Sequence, residues 1–315
     1  MQHKDPVFVG VDVSKATLSS CVHGSKERRD FANEEEAISA WLQTLPANAW
    51  VAVESTGRYH RLLVALVHAS GRRAFVLNAA DVFFYAKALG TRGKTDRKDA
   101  LVIARFLAEH HQELRAWAPP AQRLQRIEEL LRCRAGVARK RSSVVQLRRE
   151  TCAPRDSSAA LQAQFDALLD DIDAQLCSLV DADPVFSQRC SQLRTIAGVG
   201  PQGSIKLASL FSRFEFSRAD AAVAFTGLDP RPRDSGAMAG RRRLSKRGDP
   251  ELRRLLYMMA SSATRTKAFG PIYQALKARG FKSTQALVIL ARKIMRVALA
   301  VWRSGKDFDP AMLGA

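Results

Sequence analysis

Four carboxylates are the residues of this sequence best placed to do chemistry. Asp12 lies inside the apolar run Val7-Phe8-Val9-Gly10-Val11-Asp12-Val13, and Glu54 ends the run Trp50-Val51-Ala52-Val53-Glu54. Asp96 and Asp99 are three apart in Lys94-Thr95-Asp96-Arg97-Lys98-Asp99. A lone charge in a buried strand is costly unless it is paired or holds a cation. Two-metal phosphodiester chemistry asks for about four acids converging from different elements on ions roughly 4 Å apart. Mg²⁺ prefers carboxylate and water oxygens, so a set of Asp and Glu without His or Cys suits it. Glycosidase-style carboxylates would need only two acids and no basic field. Three of these acids also have a plainer reading. Asp12 can turn to a sheet edge and hydrogen-bond a loop, and Asp96 and Asp99 can be a solvated helix start capped by Thr95. Lys94, Arg97 and Lys98 would bring phosphate close to any metal the latter pair holds.

The elements that must position these acids follow from the hydrophobic pattern. After the Asp12 strand, Thr17 to His23 and Glu27 to Phe31 read as a meander. Asn33 then caps a helix that carries Glu34, Glu35 and Glu36 in its first turn and runs to about Leu45. Strands at Trp50 to Glu54 and Ala74 to Asn78 alternate with helices over Tyr59 to Ala69 and Asp81 to Leu89, and Asp96 and Asp99 lead into a further helix. The order β-β-β-α-β-α-β-α predicts an open mixed sheet covered by helices, residues 1–115.

From Pro119-Pro120 the character changes. Leu124, Ile127 and Leu131, then Leu161, Phe165, Leu168, Ile172, Leu176 and Leu179, recur at helical steps on either side of the break Cys152 to Ser158. This predicts an antiparallel helical hairpin or coiled coil over 116–185, roughly thirty residues per arm. The first arm is basic, with Arg139, Lys140 and Arg141 among seven cations and no acid between 132 and 149. Such a run is either a solvated helix face or a phosphate-facing surface. The second arm is acidic (Asp166, Asp170, Asp171, Asp173), so pairing between arms or between protomers is open. Residues 186–315 read as mainly α. There Gly198-Val199-Gly200 offers a helix-hairpin-helix-like phosphate turn. The loop Leu228 to Gly236 carries Ser235, by itself a turn residue before a glycine. Arg241, Arg242, Arg243, Lys246 and Arg247 form a basic stretch after it.

Composition narrows the partner. In 315 residues, 50 Lys and Arg against 31 Asp and Glu give a formal net charge of +19. So large a surplus points to a polyanion, usually nucleic acid. A basic membrane-surface protein competes, but there is no run of about 18 apolar residues and no signal-peptide pattern. Five scattered cysteines, Cys21, Cys133, Cys152, Cys177 and Cys190, show no C-x-x-C spacing. They argue against a disulfide framework or zinc site and for a reducing, cytoplasmic setting.

Five motifs occur in order: Val9-Gly10-Val11-Asp12-Val13-Ser14-Lys15, Glu54-Ser55-Thr56-Gly57-Arg58-Tyr59, Lys94 to Ala100, Ile196-Ala197-Gly198-Val199-Gly200-Pro201, and Gly227-Leu228-Asp229-Pro230 followed by Ser235-Gly236. By them the chain resembles the DEDD insertion-sequence transposases, relatives of the Piv-type DNA invertases described as bridge-RNA-guided recombinases. The resemblance implies a RuvC-like, RNase H-type domain whose Asp12, Glu54, Asp96 and Asp99 bind Mg²⁺. It also implies a coiled coil used in assembly and a C-terminal transposase domain with Ser235 as nucleophile toward DNA. Donor and target double-stranded DNA, a structured guide RNA and a dimer or tetramer are the implied partners. Ala79 and Asp249 depart from the proline and asparagine usual in that pattern, at loop or cap positions. Two rivals remain: a RuvC-like hydrolytic nuclease, in which Ser235 is dispensable, and a non-catalytic nucleic-acid scaffold. An actin-like kinase would need a second glycine-rich phosphate loop and an adenosine motif, and neither is found.

Overall fold

The computed structural model describes residues 5–25, 27–55, 57–90, 96–152, 154–232 and 242–314, leaving aside the side chains of residues 96–98, 232, 312 and 314. The described chain forms two compact units, 1–119 and 120–315.

The first unit is a five-stranded sheet of order β3-β2-β1-β4-β5. Its strands are β1 (Val7–Val13), β2 (Thr17–Val22), β3 (Arg28–Ala32), β4 (Ala49–Glu54) and β5 (Arg73–Leu77). The meander β1-β2-β3 is antiparallel, and β4 and β5 add parallel to β1 through helical crossovers. This mixed sheet with helices fits the RNase H-type α/β domain implied by the resemblance. Alternation along each strand divides the residues between two faces. Val9, Val11, Val13, Val51 and Val53 face α1 (Glu35–Gln43) and α2 (Arg61–Ala69), where Ile38, Trp41, Leu63 and Val67 complete the core. Ala52, Phe75 and Leu77 face α3 (Ala79–Ala88) and α4 (Asp96–His110), against Val82, Ile103 and Leu107. Asn33 does not cap α1, contrary to the sequence expectation. Glu34 holds that position without a side-chain bond, and the Asn33 amide instead donates to the Ser14 and Tyr59 carbonyls at 3.1 and 3.0 Å. It ties the β1–β2 turn to the loop after β4, the two segments that flank the acidic edge.

In the second unit α5 (Gln122–Glu150) and α6 (Arg155–Asp181) form the expected hairpin, 29 and 27 residues long. Its buried residues lie only toward the base. Leu124, Ile127 and Leu131 of α5 and Ile172, Leu176 and Val180 of α6 share one core with the C-terminal helices. Those helices are α7 (Pro184–Arg194), α8 (Pro201–Arg213), α9 (Ala219–Thr226), α10 (Pro250–Ala263), α11 (Gly270–Ala278) and α12 (Ser283–Ser304). Across the hairpin Arg134 pairs with Asp173 at 2.6 Å and Arg141 pairs with Asp166. The acidic arm is therefore matched to the basic arm inside one chain. A two-stranded ribbon not anticipated from the sequence, β6 (Pro230–Pro232) with β7 (Arg242–Leu244), brackets residues 233–241. Proline is tolerated there because a two-stranded ribbon has only edges. At the ribbon's base the Ser245 hydroxyl donates to the Asp229 carboxylate. Gly227 closes α9 with φ +70°, and an added Cβ there would meet the Arg247 and Gly248 nitrogens at 2.7 and 2.8 Å. Among the described residues no helix is long and apolar enough to cross a membrane.

Candidate active site

The geometry begins with register. Val11 pairs with Val53 across the parallel β1–β4 ladder, so one residue further Asp12 stands beside Glu54 at the C-terminal ends of both strands. Period-2 alternation puts Asp12 with Gly10 and Phe8, and Glu54 with Ala52 and Trp50, on the face covered by α4. Both side chains are half-buried, and the Asp12 carboxylate accepts the Val13 backbone N–H at 3.0 Å.

Gly10 fixes where α4 lies. A Cβ at Gly10 would sit 2.2 Å from the Ala100 carbonyl oxygen and 2.3 Å from the Ala104 nitrogen. Only a residue without a side chain lets a helix backbone rest directly on a central strand. Past the other end of the helix, the His111 ring lies 5.1 Å from Phe8 and 5.4 Å from Trp50. Helix α4 thus runs antiparallel to β1, and its first turn arrives where β1 and β4 end. Asp99, half-buried, directly precedes the Ala100 that rests on Gly10, two residues along the strand from Asp12. The backbone of Asp96 opens the same helix one turn earlier. Sequence motifs named the acids, but the role of Gly10 was legible only as a glycine inside a strand.

Asp12, Glu54 and Asp99 therefore occupy one edge of one face. Among the described residues, no three of His, Cys, Asp and Glu already form a group that could hold a metal ion. The side chain of Asp96 lies outside the described residues, as do those of Arg97 and Lys98; Lys94, Ser235 and Arg241 lie outside them altogether.

The remaining nucleic-acid candidates divide. Arg139 is exposed and pairs with Glu251 at 3.1 Å, Lys140 is exposed, and Arg141 is committed to Asp166. Arg242, Arg243 and Lys246 are exposed around the ribbon and Arg247 is half-buried. Gly198 (φ +96°) is explained by packing: a Cβ would sit 2.7 Å from both the Ala263 Cβ and the Met259 carbonyl of α10. Gly200, the exposed N-cap of α8, is the glycine of that turn left open to solvent. Asp249, where the pattern has asparagine, still caps its helix, accepting the Glu251 N–H at 2.8 Å. A buried cation went unnoticed in the sequence. Lys206, 8% exposed on α8, lies 3.3 Å from Asp249 and 3.7 Å from Glu128.

An acidic strand edge facing a helix start, in a chain with a formal net charge of +19, is consistent with chemistry on a nucleic-acid backbone. Comparison with known families makes the class specific. Residues 9–151 match a family model described as "Transposase" (DEDD type), and residues 190–274 match "Transposase IS116/IS110/IS902 family". The chain belongs to this family of insertion-sequence transposases and is an enzyme of DNA transposition or recombination. Among similar proteins, the pilin gene-inverting protein of Moraxella bovis is 26% identical over 96% of this chain and 97% of its own length. An uncharacterized 42 kDa protein of insertion element IS900 from Mycobacterium paratuberculosis is 26% identical over 97% and 98%. An uncharacterized 44.8 kDa protein of IS116 from Streptomyces clavuligerus is 25% identical over 98% and 97%.

Proposed function

We propose that the chain cuts and rejoins DNA, using Asp12, Glu54, Asp96 and Asp99 of a RuvC-like first unit as ligands for divalent cations and Ser235 of the second as nucleophile. The observation that carries this is the β1–β4 register, which sets Asp12 beside Glu54 under the start of α4. The donors fit Mg²⁺: all are carboxylate oxygens, from two neighbouring strand ends and one helix turn pinned by Gly10. Bound there, such ions would lower the charge cost at the attacking and leaving oxygens. The protein's own part is to hold the acids on backbone that cannot drift, since β1 is bonded on both sides.

In the proposed step the Ser235 Oγ bonds to phosphorus as a bridging P–O bond breaks. The departing strand hydroxyl gains the proton that the serine loses. A second strand's hydroxyl then attacks the phosphoserine phosphorus, the bond to the Ser235 Oγ breaks, and the serine regains a proton as the hydroxyl loses its own, so the backbone is resealed without ATP. A relative named for inverting a gene favours this over hydrolysis, because inversion must reseal the DNA it cuts. The same reading takes a structured guide RNA as partner and a homo-oligomer as the working form, with the α5–α6 hairpin contributing as a coiled coil.

The test is a strand-cleavage assay alongside DNA binding. Asp12→Asn, Glu54→Gln and Asp99→Asn should each lower cleavage by more than about a hundredfold. Affinity should persist, because it comes largely from Lys and Arg neutralising phosphates. An Asp12→Asn protein that cuts and rejoins at the parent rate would overturn the assignment.

A further inference from the structure

Two large rings stand in the open beside the acidic edge. Phe83 and Phe84 of α3 are 54% and 58% exposed. Their rings meet edge to face at 5.5 Å, and the Lys87 Nζ lies 4.7 Å from the Phe83 ring centre. The helix does not need them for packing. Its inner face is already engaged through Val82, buried in the core with Leu77 and Ile103, and through Tyr85, whose ring lies 5.1 Å from Phe106 and whose hydroxyl donates to Glu109 at 2.5 Å. Burial and the Glu109 carboxylate push the Tyr85 hydroxyl up to about 12, so it stays a donor and keeps that face locked. Adjacent exposed phenylalanines on an otherwise satisfied helix mark a contact surface.

Their position gives the contact a purpose. Asn78 caps α3, accepting the Ala80 N–H at 2.9 Å, and follows directly on Leu77, the ladder partner of Glu54. The shared core of Val82 with Ile103 and the contact of Tyr85 with Phe106 set α3 alongside α4 in the same direction. Both helices therefore start at the edge where Asp12 and Glu54 end. At an α-helical rise, Phe83 and Phe84 lie about 7 to 9 Å along the axis from Asn78. Beyond α3 the sequence adds Arg92, Lys94, Arg97 and Lys98 to Lys87, while Asp81 is the acid within the helix.

We propose that Phe83 and Phe84 form a stacking platform for an unpaired base of the nucleic-acid strand entering the acidic edge, with Lys87 neutralising a neighbouring phosphate. The platform deepens the phosphodiester reading of that edge and rests on it for its purpose. Every base has a π face, so such a platform accepts any sequence while keeping the strand single. The cation beside the rings and the basic run after them favour a polyanion over a second copy of this chain, itself strongly basic.

Binding of a fluorescent single-stranded oligonucleotide to the full-length protein, measured without divalent metal, tests the platform separately from cleavage. Phe83→Ala and Phe84→Ala should each weaken binding by roughly fivefold or more. The slope of log affinity against log salt should stay as in the parent, whereas Lys87→Gln should make it shallower. Phe83→Trp should restore affinity, and circular dichroism should show all variants folded. The platform is overturned if the alanine variants bind the oligonucleotide as tightly as the parent. It is equally overturned if they lose self-association in sedimentation with oligonucleotide affinity unchanged, since the rings would then serve a protein interface. Failure of the Asp12 cleavage test with these binding losses intact would strike the catalytic assignment and leave the platform standing.

Discussion

At the scale of single residues, the candidate acids stood out in the sequence, and the glycine that sets a helix beside them did not. Asp12 announced itself as a charge among valines, and Glu54 as a carboxylate ending a strand. Gly10 looked like part of a motif until the helix backbone was seen resting on it. Replacing it tests the placement directly. Gly10→Ala would drive a methyl into the Ala100 carbonyl and Ala104 nitrogen, both backbone atoms that cannot rotate away. Overpacking of this kind costs about 1–3 kcal/mol, so a thermal melt should show a clear fall in midpoint, and cleavage should fall with it as α4 is pushed off β1. A melt unchanged from the parent would contradict the close approach. Asn33 teaches the converse lesson: an Asn just before an acidic run reads as a helix cap, but the loops it bridges are 19 and 26 residues away in sequence. Long-range hydrogen bonds of that sort leave no local pattern.

At the scale of elements, periodicity served well where a segment buries one continuous face. Both hairpin arms were readable from their leucines, and a mixed sheet from a meander followed by crossovers, although not the order of its strands. The β6–β7 ribbon was not readable, because three-residue strands carrying two prolines and three arginines offer no alternation to count. The hairpin's charges were readable by sign but not by partner. Burial opposes the ionised form of Asp173, but hydrogen bonds from Arg134 and Gln202 outweigh it and hold the carboxyl below the usual aspartate range. With its folded-state value depressed, Asp173 contributes stability above the unfolded value, and that contribution is lost as pH falls through the folded one. Asp173→Asn should therefore cost about 1 kcal/mol at neutral pH. The difference from the parent should shrink below about pH 4 in chemical denaturation. A constant difference across that range would contradict the pairing.

At the scale of the whole molecule, charge and motif order pointed to the class, and the family matches establish it. Toward the hairpin tip Leu147, Leu161 and Leu168 are 54%, 42% and 44% exposed, on arms whose buried residues lie only at the base. Exposed leucines on a projecting hairpin want a partner surface, so light scattering should report at least a dimer, and Leu161→Glu with Leu168→Glu should shift it toward monomer. A parent protein that is monomeric both free and with nucleic acid would contradict that expectation. The central claim is that strand energy is kept in the protein rather than lost to water, and it is tested most directly by denaturing electrophoresis of the protein incubated with labelled DNA and Mg²⁺. We expect a covalent protein–DNA adduct that survives denaturant and disappears with Ser235→Ala, with Asp12→Asn, or on chelation of the metal. A Ser235→Ala protein that still cuts DNA at the parent rate, with no adduct and no rejoined strands formed by the parent, would contradict the recombinase mechanism and leave a hydrolytic nuclease in its place.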